Sequence, residues 1–244
     1  MLSKFQSHIK SNYSFLLKER FILCCSGGLD SVVLLHLFKS MTNDFVVAHC
    51  NYNLRKDFSN MDEQFVKDLC EKENLKVYSK SFDTLKIKKK LKKSTQVVAR
   101  ELRYEFFEDL SKKNNINYIL TAHHMNDSME SFFINLSRGS GIDGLIGIPE
   151  NNGKILRPFI NFEKTEILKY AKKNKIKWRE DASNQSNIYL RNKIRNELVP
   201  LLHSLEGNFT KNFQKSLSYL KLSNLLIYDK IEELMKAVDA SIPE

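Results

Sequence analysis

The chain has 244 residues, 42% of them apolar, enough for one large or two modest domains with a buried core and no need of disulfide or metal staples. Its 39 Lys and Arg against 29 Asp and Glu leave a net charge of +10, which favours encounter with a polyanion such as RNA without identifying one. No apolar run approaches the roughly 20 residues that span a bilayer, and the opening Met1-Leu2-Ser3-Lys4-Phe5-Gln6 lacks a signal-peptide core, so a cytoplasmic protein with no membrane partner is expected.

In chain order, the first apolar run is Phe21-Ile22-Leu23-Cys24-Cys25, a predicted buried strand, and Val32 to Phe38 is a predicted helix. Between them stands Ser26-Gly27-Gly28-Leu29-Asp30-Ser31. Two adjacent glycines let backbone approach a bound group without Cβ interference, and exposed N–H groups at a helix start favour phosphate there. Ser26 and Ser31 add hydroxyl donors. Asp30 beside such a nest repels a phosphate unless a cation such as Mg²⁺ lies between them, so the segment points to a nucleotide bound with its metal. The loop lacks the lysine and spacing of G-x-x-x-x-G-K-[ST] and the third glycine of G-x-G-x-x-G, which argues against both P-loop and dinucleotide enzymes.

Phe45 to His49, Val77 to Phe82 and Tyr118 to Thr121 are further predicted strands, alternating with amphipathic segments, and Ile155-Leu156-Arg157 is a fifth, ended by Pro158. The pattern is α/β: a Rossmann-like parallel sheet of about five strands with helices on both faces, followed by a C-terminal helical segment. Residues 1–205 read as the sheet-based domain and 206–244 as a helical linker or the start of a further region. Ligands of such sheets bind beyond the carboxyl ends of the strands, where the segments beginning at Ser26, His49 and Thr121 all lie. A helix is expected from Phe162 to Lys175 with Glu163 and Glu166 in its first turn, and the helical pattern from Arg191 is expected to break at Pro200 and near Gly207. Lys86-Ile87-Lys88-Lys89-Lys90-Leu91-Lys92-Lys93 is the one dense charge run, either a solvated face or a surface toward RNA phosphates. The four cysteines, Cys24, Cys25, Cys50 and Cys70, have no C-x-x-C spacing and read as small core residues in a reducing compartment.

The Ser26 loop resembles that of the N-type ATP pyrophosphatases, which cleave ATP between the α and β phosphates and activate a carbonyl as its adenylate. Further along come Ala48-His49-Cys50-Asn51-Tyr52-Asn53-Leu54-Arg55, Ala99-Arg100-Glu101-Leu102-Arg103-Tyr104, Thr121-Ala122-His123-His124-Met125-Asn126-Asp127-Ser128-Met129-Glu130 and Arg138-Gly139-Ser140-Gly141-Ile142-Asp143-Gly144-Leu145. Arg157-Pro158-Phe159, Asp181-Ala182-Ser183-Asn184 and Arg191-Asn192-Lys193-Ile194-Arg195 complete a series that, in this order, resembles the tRNA(Ile)-lysidine synthetases from about Phe21 to Leu202.

That resemblance implies a two-step reaction: the O2 of the wobble cytidine in an isoleucine tRNA with a CAU anticodon attacks the α-phosphate of ATP, and the amine of free L-lysine then displaces AMP from C2. Decoding switches from AUG to AUA. Ser26, Gly27, Gly28, Leu29, Asp30 and Ser31, with His49, Asn51 and His123, would bind ATP, Asp30 would hold Mg²⁺, and Arg103 and Arg195 would meet phosphate or the adenylated base. Asp127 and Glu130, at i,i+3 on one helix face, match the acids that receive the lysine ammonium; Asp30, Arg103, Asp127 and Arg195 would be catalytic. His124 is expected to be structural. Many relatives read His where this chain has Tyr52, and longer members carry additional C-terminal domains. A tRNA thiolase would share the loop but needs sulfur-carrying cysteines, and a noncatalytic RNA-binding protein would be expected to have lost Asp30, Asp127 or the arginines.

Overall fold

The computed structural model describes residues 1–55, 57–180 and 190–239, in two compact units. The first, Met1–His124 with Glu150–Asp181, is built on the sheet. Its strands are β1 (Phe21–Cys24), β2 (Phe45–Asn51), β3 (Lys76–Ser81), β4 (Tyr118–Leu120), β5 (Asn151–Asn152) and β6 (Ile155–Leu156), in the order β3-β2-β1-β4-β6-β5. All pairings are parallel except that of β5 with β6. The five parallel strands are those expected from the sequence. The antiparallel β5 is two exposed polar residues with no apolar run to betray it, joined to β6 through Gly153 at positive φ.

Phe21, Ile22 and Leu23 are fully buried because β1 has neighbours on both edges and cover on both faces, which is why the run reads as continuously apolar rather than alternating. Phe21 pairs in register with Phe45, and their rings stack 5.1 Å apart. On one face lie α1 (Leu2–Asn12) and α2 (Leu29–Lys39), whose Phe5 and Phe38 meet edge to face at 5.3 Å, together with α8 (Lys164–Lys173). The opposite cluster joins Ile22, Val46 and Ala48 to Phe106, Phe107 and Leu110 of α5 (Thr95–Asn114). Helices α3 (Asp57–Lys72) and α4 (Thr84–Leu91) complete this unit. α8 starts after Glu163, whose N–H donates to the Glu166 carboxylate at 3.1 Å, so the two acids expected in the first turn form its start signal.

Strand order reverses between β1 and β4, since β1 runs on to β2 and β3 on one side while β4 and β6 lie on the other. Crevices open at such a switch point, beyond the carboxyl ends of the two strands. The Ser26 loop and Thr121 occupy those ends.

The second unit, Met125–Pro149 with Ala182–Glu244, is helical: α6 (Met125–Ser137), α7 (Ile142–Leu145), α9 (Leu190–Lys193), α10 (Val199–Leu205) and α11 (Phe209–Asp239). Its core joins Met125, Met129, Ile194, Val199, Phe213 and Leu217. The helical pattern does not break at Pro200. Pro200 lacks the N–H that would bond back one turn, and the five residues Ile194–Leu198 take up the defect as a π-helical turn joining α9 to α10. Gly144 in the glycine-rich stretch has no room for a side chain, because a Cβ there would stand 2.6 Å from that of Ser140. Among the described residues, no helix is long and apolar enough to cross a membrane.

Candidate active site

In the first unit the site is made mostly of backbone. β1 ends at Cys24, Gly27 turns the chain at φ +87°, and α2 begins at Leu29 with Gly28 before it. A Cβ at Gly27 would be strained by that φ, although it would meet Val66 only at van der Waals distance, 3.4 Å. The first intrahelical bond of α2 runs from Val32 N–H to the Gly28 carbonyl, so the N–H groups of Leu29, Asp30 and Ser31 precede the helical ladder and carry its positive end. Ser31 Oγ organises the turn: it accepts from Ser26 N–H at 3.1 Å, donates to the Gly28 carbonyl at 3.0 Å and lies 3.2 Å from Ser26 Oγ. From outside, Arg179 N–H donates to the Gly27 carbonyl at 2.9 Å, and its guanidinium shares Asp62 with Arg55 at 2.9 and 2.8 Å. Two cations are thereby fixed to the segment that braces the nest. Arg179 carries no motif, and nothing in its local sequence marks it.

Asp30 Oδ1 is buried without a hydrogen-bond partner among the described residues, while Oδ2 faces His124 Nε2 at 3.5 Å. A buried carboxylate oxygen left open beside a phosphate nest fits a hard divalent cation. No group of three His, Cys, Asp or Glu side chains gathers as a metal site among the described residues. His124, expected to be structural, is buried, but it borders Asp30. His123 lies next to it, its Nδ1 2.9 Å from Thr121 Oγ1.

At the end of β2, His49 Nδ1 donates to the Cys25 carbonyl at 2.9 Å, directly beneath the nest. Burial pushes its pKa down, and the bond to Cys25 with the charges of Glu63 and Asp62 returns only part, so His49 stays neutral and a single-tautomer donor. Asn51 Nδ2 donates to Asn60 at 3.1 Å and to Glu63 at 2.8 Å. Burial works against ionising Glu63, yet hydrogen bonds from Lys67, Asn51 and Ser79 outweigh it and bring its pKa to about 2.

Arg103 reaches in from α5. Its Nε donates to Tyr52 Oη at 2.8 Å, and the Tyr52 ring lies nearly parallel to Phe82, centroids 5.9 Å apart. Burial opposes the charge of Arg103, but the Tyr52 oxygen more than compensates, and the guanidinium stays protonated. Local sequence offers a contact with Phe107 or a carboxylate as the plain explanation for this arginine; its partner is instead a tyrosine 51 positions away.

The second unit carries a separate cluster. Glu130 on α6 is 1% exposed and takes three bonds: Arg195 Nε to Oε1 at 2.6 Å, and Arg191 Nε and Arg195 Nη2 to Oε2 at 2.7 and 3.0 Å. Asp127, one turn earlier, has the same arginines at 3.6 and 3.8 Å. The π-turn starts between Arg191 and Arg195, where irregular helix commonly marks a working site. The structure thus brings Asp127, Glu130 and Arg195 together and adds Arg191. The polar residues Asp181, Ser183 and Asn184 lie outside the described residues.

Burial disfavours the thiolate at all four cysteines: it raises Cys50 to about 11 and Cys70 to about 12, and lifts Cys24 and Cys25 as well.

Residues 1–202 match the family model described as a PP-loop domain. Among curated proteins the chain is 40% identical over 200 residues to tRNA(Ile)-lysidine synthase of Chlorobaculum tepidum, covering 80% of this chain and 60% of that protein. It is 34% identical to the protein of that name from Bacteroides thetaiotaomicron (92% of this chain, 52% of that one) and 33% identical to that of Clostridium acetobutylicum (97% and 52%). The chain therefore spans between half and two thirds of the length of these relatives. Of solved structures, the U34-tRNA thiolase NcsA from Methanococcus maripaludis with its [4Fe-4S] cluster has the same fold, with TM-score 0.71 at 15% identity over 89% of this chain and 78% of that one. NMN synthetase from Francisella tularensis aligns at TM-score 0.55 and 13% identity over 80% of this chain and 86% of that one. Nest, strand order and family match agree: the chain belongs to the PP-loop domain family.

Proposed function

We propose that this chain carries the ATP-using catalytic machinery of a tRNA(Ile)-lysidine synthase, a ligase that acts in the cytoplasm. It adenylates the wobble cytidine of tRNA(Ile) with a CAU anticodon and joins free L-lysine to C2, with release of pyrophosphate and then AMP. The catalytic machinery is assigned to residues 1–205, and 206–244 to a helical continuation. The observation that carries the reading is the likeness to proteins named tRNA(Ile)-lysidine synthase, which at 97% coverage takes in the nest and the Arg191–Arg195 segment alike.

The nest N–H groups and the Ser26 and Ser31 hydroxyls bind and orient the triphosphate, and Arg103 meets the α-phosphate or the adenylated base with the guanidinium edge that Tyr52 leaves open. Asp30, with the phosphates, would hold Mg²⁺, which when bound would supply neutralising charge to the leaving pyrophosphate. His49, Asn51 and His123 line the nucleotide end. Asp127 receives the lysine ammonium, whose solution pKa of about 10.4 must be overcome before the amine attacks. Glu130 adds negative field and fixes the guanidinium groups of Arg191 and Arg195. A sulfur-transfer reading shares the fold but not the thiolate chemistry, since buried, protonated thiols are poor sulfur carriers.

The test is incorporation of radiolabelled lysine into CAU-anticodon tRNA with ATP and Mg²⁺. ATP-dependent label is expected. AMP release driven by tRNA without label would assign another nucleophile, and the absence of both label and AMP release would overturn the reading.

A further inference from the structure

The lysine run that the nucleotide and lysine sites leave unexplained folds as α4. Lys86, Lys89 and Lys90 stand at i, i+3 and i+4, share one helix face and are all exposed. Neither they nor Lys88 have an acidic partner among the described residues, whereas Lys93 just beyond the helix is held by Glu101 at 2.6 Å. Like charges at this spacing weaken a helix, and the favourable placement of cations near a helix C-terminus returns a similar amount. Folding gains nothing from the concentration, and α4 contains no acid to offset it.

Position suggests what the charge is for. β3 ends at Ser81 and α4 starts at Thr84, so the helix stands at the carboxyl edge of the sheet, the edge from which the nest opens. β3 lies two strands from β1, about 10 Å at the usual strand spacing. α4 packs against α5, whose early turns bear exposed Arg100 and then Arg103. The α4 lysines and the α5 arginines therefore sit on two helices packed together, both within the first unit.

We propose that the Lys86, Lys89 and Lys90 face of α4 docks the sugar-phosphate backbone of the RNA whose base reacts at the nest; the inference rests on the tRNA reading of the site. RNA is favoured over an anionic membrane because the patch adjoins a nucleotide site and offers only Leu85 and Leu91 as exposed apolar residues, too narrow a face to bury in a lipid interface.

The experiment measures tRNA affinity against salt for the chain and for Lys86→Gln/Lys89→Gln/Lys90→Gln. A matched control, Lys169→Gln/Lys172→Gln/Lys173→Gln, removes exposed lysines of identical spacing from α8 and the same net charge. Each phosphate contact contributes about 0.7 to 0.9 to the slope of log affinity on log salt. The α4 variant is expected to lower that slope by about two to three and to weaken tRNA binding roughly tenfold or more at low salt, with ATP affinity unchanged as proof of folding. The control should move neither. Equal effects in the two variants, or no change in the α4 variant, overturn the proposal, while lysidine formation by the unaltered chain tests the function independently. Binding to phosphatidylserine vesicles that α4 substitution abolishes while tRNA binding persists would assign the patch to membranes and overturn it too.

Discussion

The nest after β1 and the acid-arginine cluster of α6, α9 and the π-turn that follows it solve opposite problems with opposite materials. The first presents N–H groups fixed by a glycine turn and one serine, so its positive field needs few charged side chains and little reorganisation. The second, among the described residues, is two carboxylates facing two guanidinium groups, with Glu130 at the centre, Arg195 on both of its oxygens and Arg191 on one. A site made of backbone tolerates loss of a side chain structurally but not chemically. A site made of buried ion pairs fails in both ways.

The largest effects separate the two chemically. Asp30→Ala is expected to abolish AMP release, about a thousandfold or more, with little change in melting temperature, because it removes a carboxylate whose buried oxygen has no protein partner among the described residues. Asp127→Ala is expected to keep tRNA-dependent ATP consumption and lose label transfer from lysine. Quenched-flow assays of both steps check this, and equal loss of the two steps in Asp127→Ala would sink the division of labour. Glu130→Ala should differ from both by destabilising the fold. It strips Arg191 and Arg195 of the carboxylate they share and leaves them Asp127 at 3.6 and 3.8 Å, and because both also stay partly open to water the cost sits at the low end of that for a broken buried pair, about 3 kcal/mol, read by urea denaturation. A fall below about 1 kcal/mol would mean that solvent compensates the arginines and that the cluster is not structural.

The same contrast explains what is legible in the sequence. Strands β1 to β4 and the nest are readable because each is a local pattern, an apolar run followed by glycines and a helix start, and the local pattern and the global role agree. Asp127 and Glu130 are readable as an i,i+3 pair on a helix. What pairs with them is not, since Arg191 and Arg195 lie more than 60 positions on and meet Glu130 only through folding. Arg179 shows the limit most plainly, because its bond to Gly27 is made by a backbone N–H, which carries no side-chain signature at all. The helix through Pro200 escapes for a further reason: proline predicts the lost hydrogen bond, but not that a π-turn absorbs it.

Arg103 is intermediate between the two designs, a charge held by one neutral hydrogen bond. Tyr52→Phe keeps the stack on Phe82 but removes the acceptor of Arg103 Nε. A hydrogen bond to a charged group is worth about 1.5 to 3 kcal/mol, and part of that is recovered when water takes its place, so kcat for adenylation should fall about tenfold with KM for ATP nearly unchanged. Tyr52→His, which restores an acceptor, should recover most of the rate. A KM effect without a kcat effect would assign Tyr52 to nucleotide binding instead.

The smallest effect lies beneath the nest. His49 and His8 are both held below the ordinary histidine pKa of 6.5, burial being the main cause for each. Above that value neither state binds the proton and stability is unaffected; as pH falls below 6.5 the unfolded chain takes up protons that the folded chain refuses, so stability declines until the lowered folded pKa is passed. Glu63 behaves alike at lower pH: its contribution is whole above 4.5 and is lost as pH drops toward about 2. The melting temperature should therefore descend in two stages on acidification, the first below 6.5 and the second below 4.5. His49→Gln should shorten the first stage without touching the second, because an amide donates to the Cys25 carbonyl at any pH. A melting temperature flat from about pH 7.5 to about pH 5 would show that these rings accept protons without cost. The floor of the nest would then be open to water, and His49 would not be a fixed neutral donor under the nucleotide.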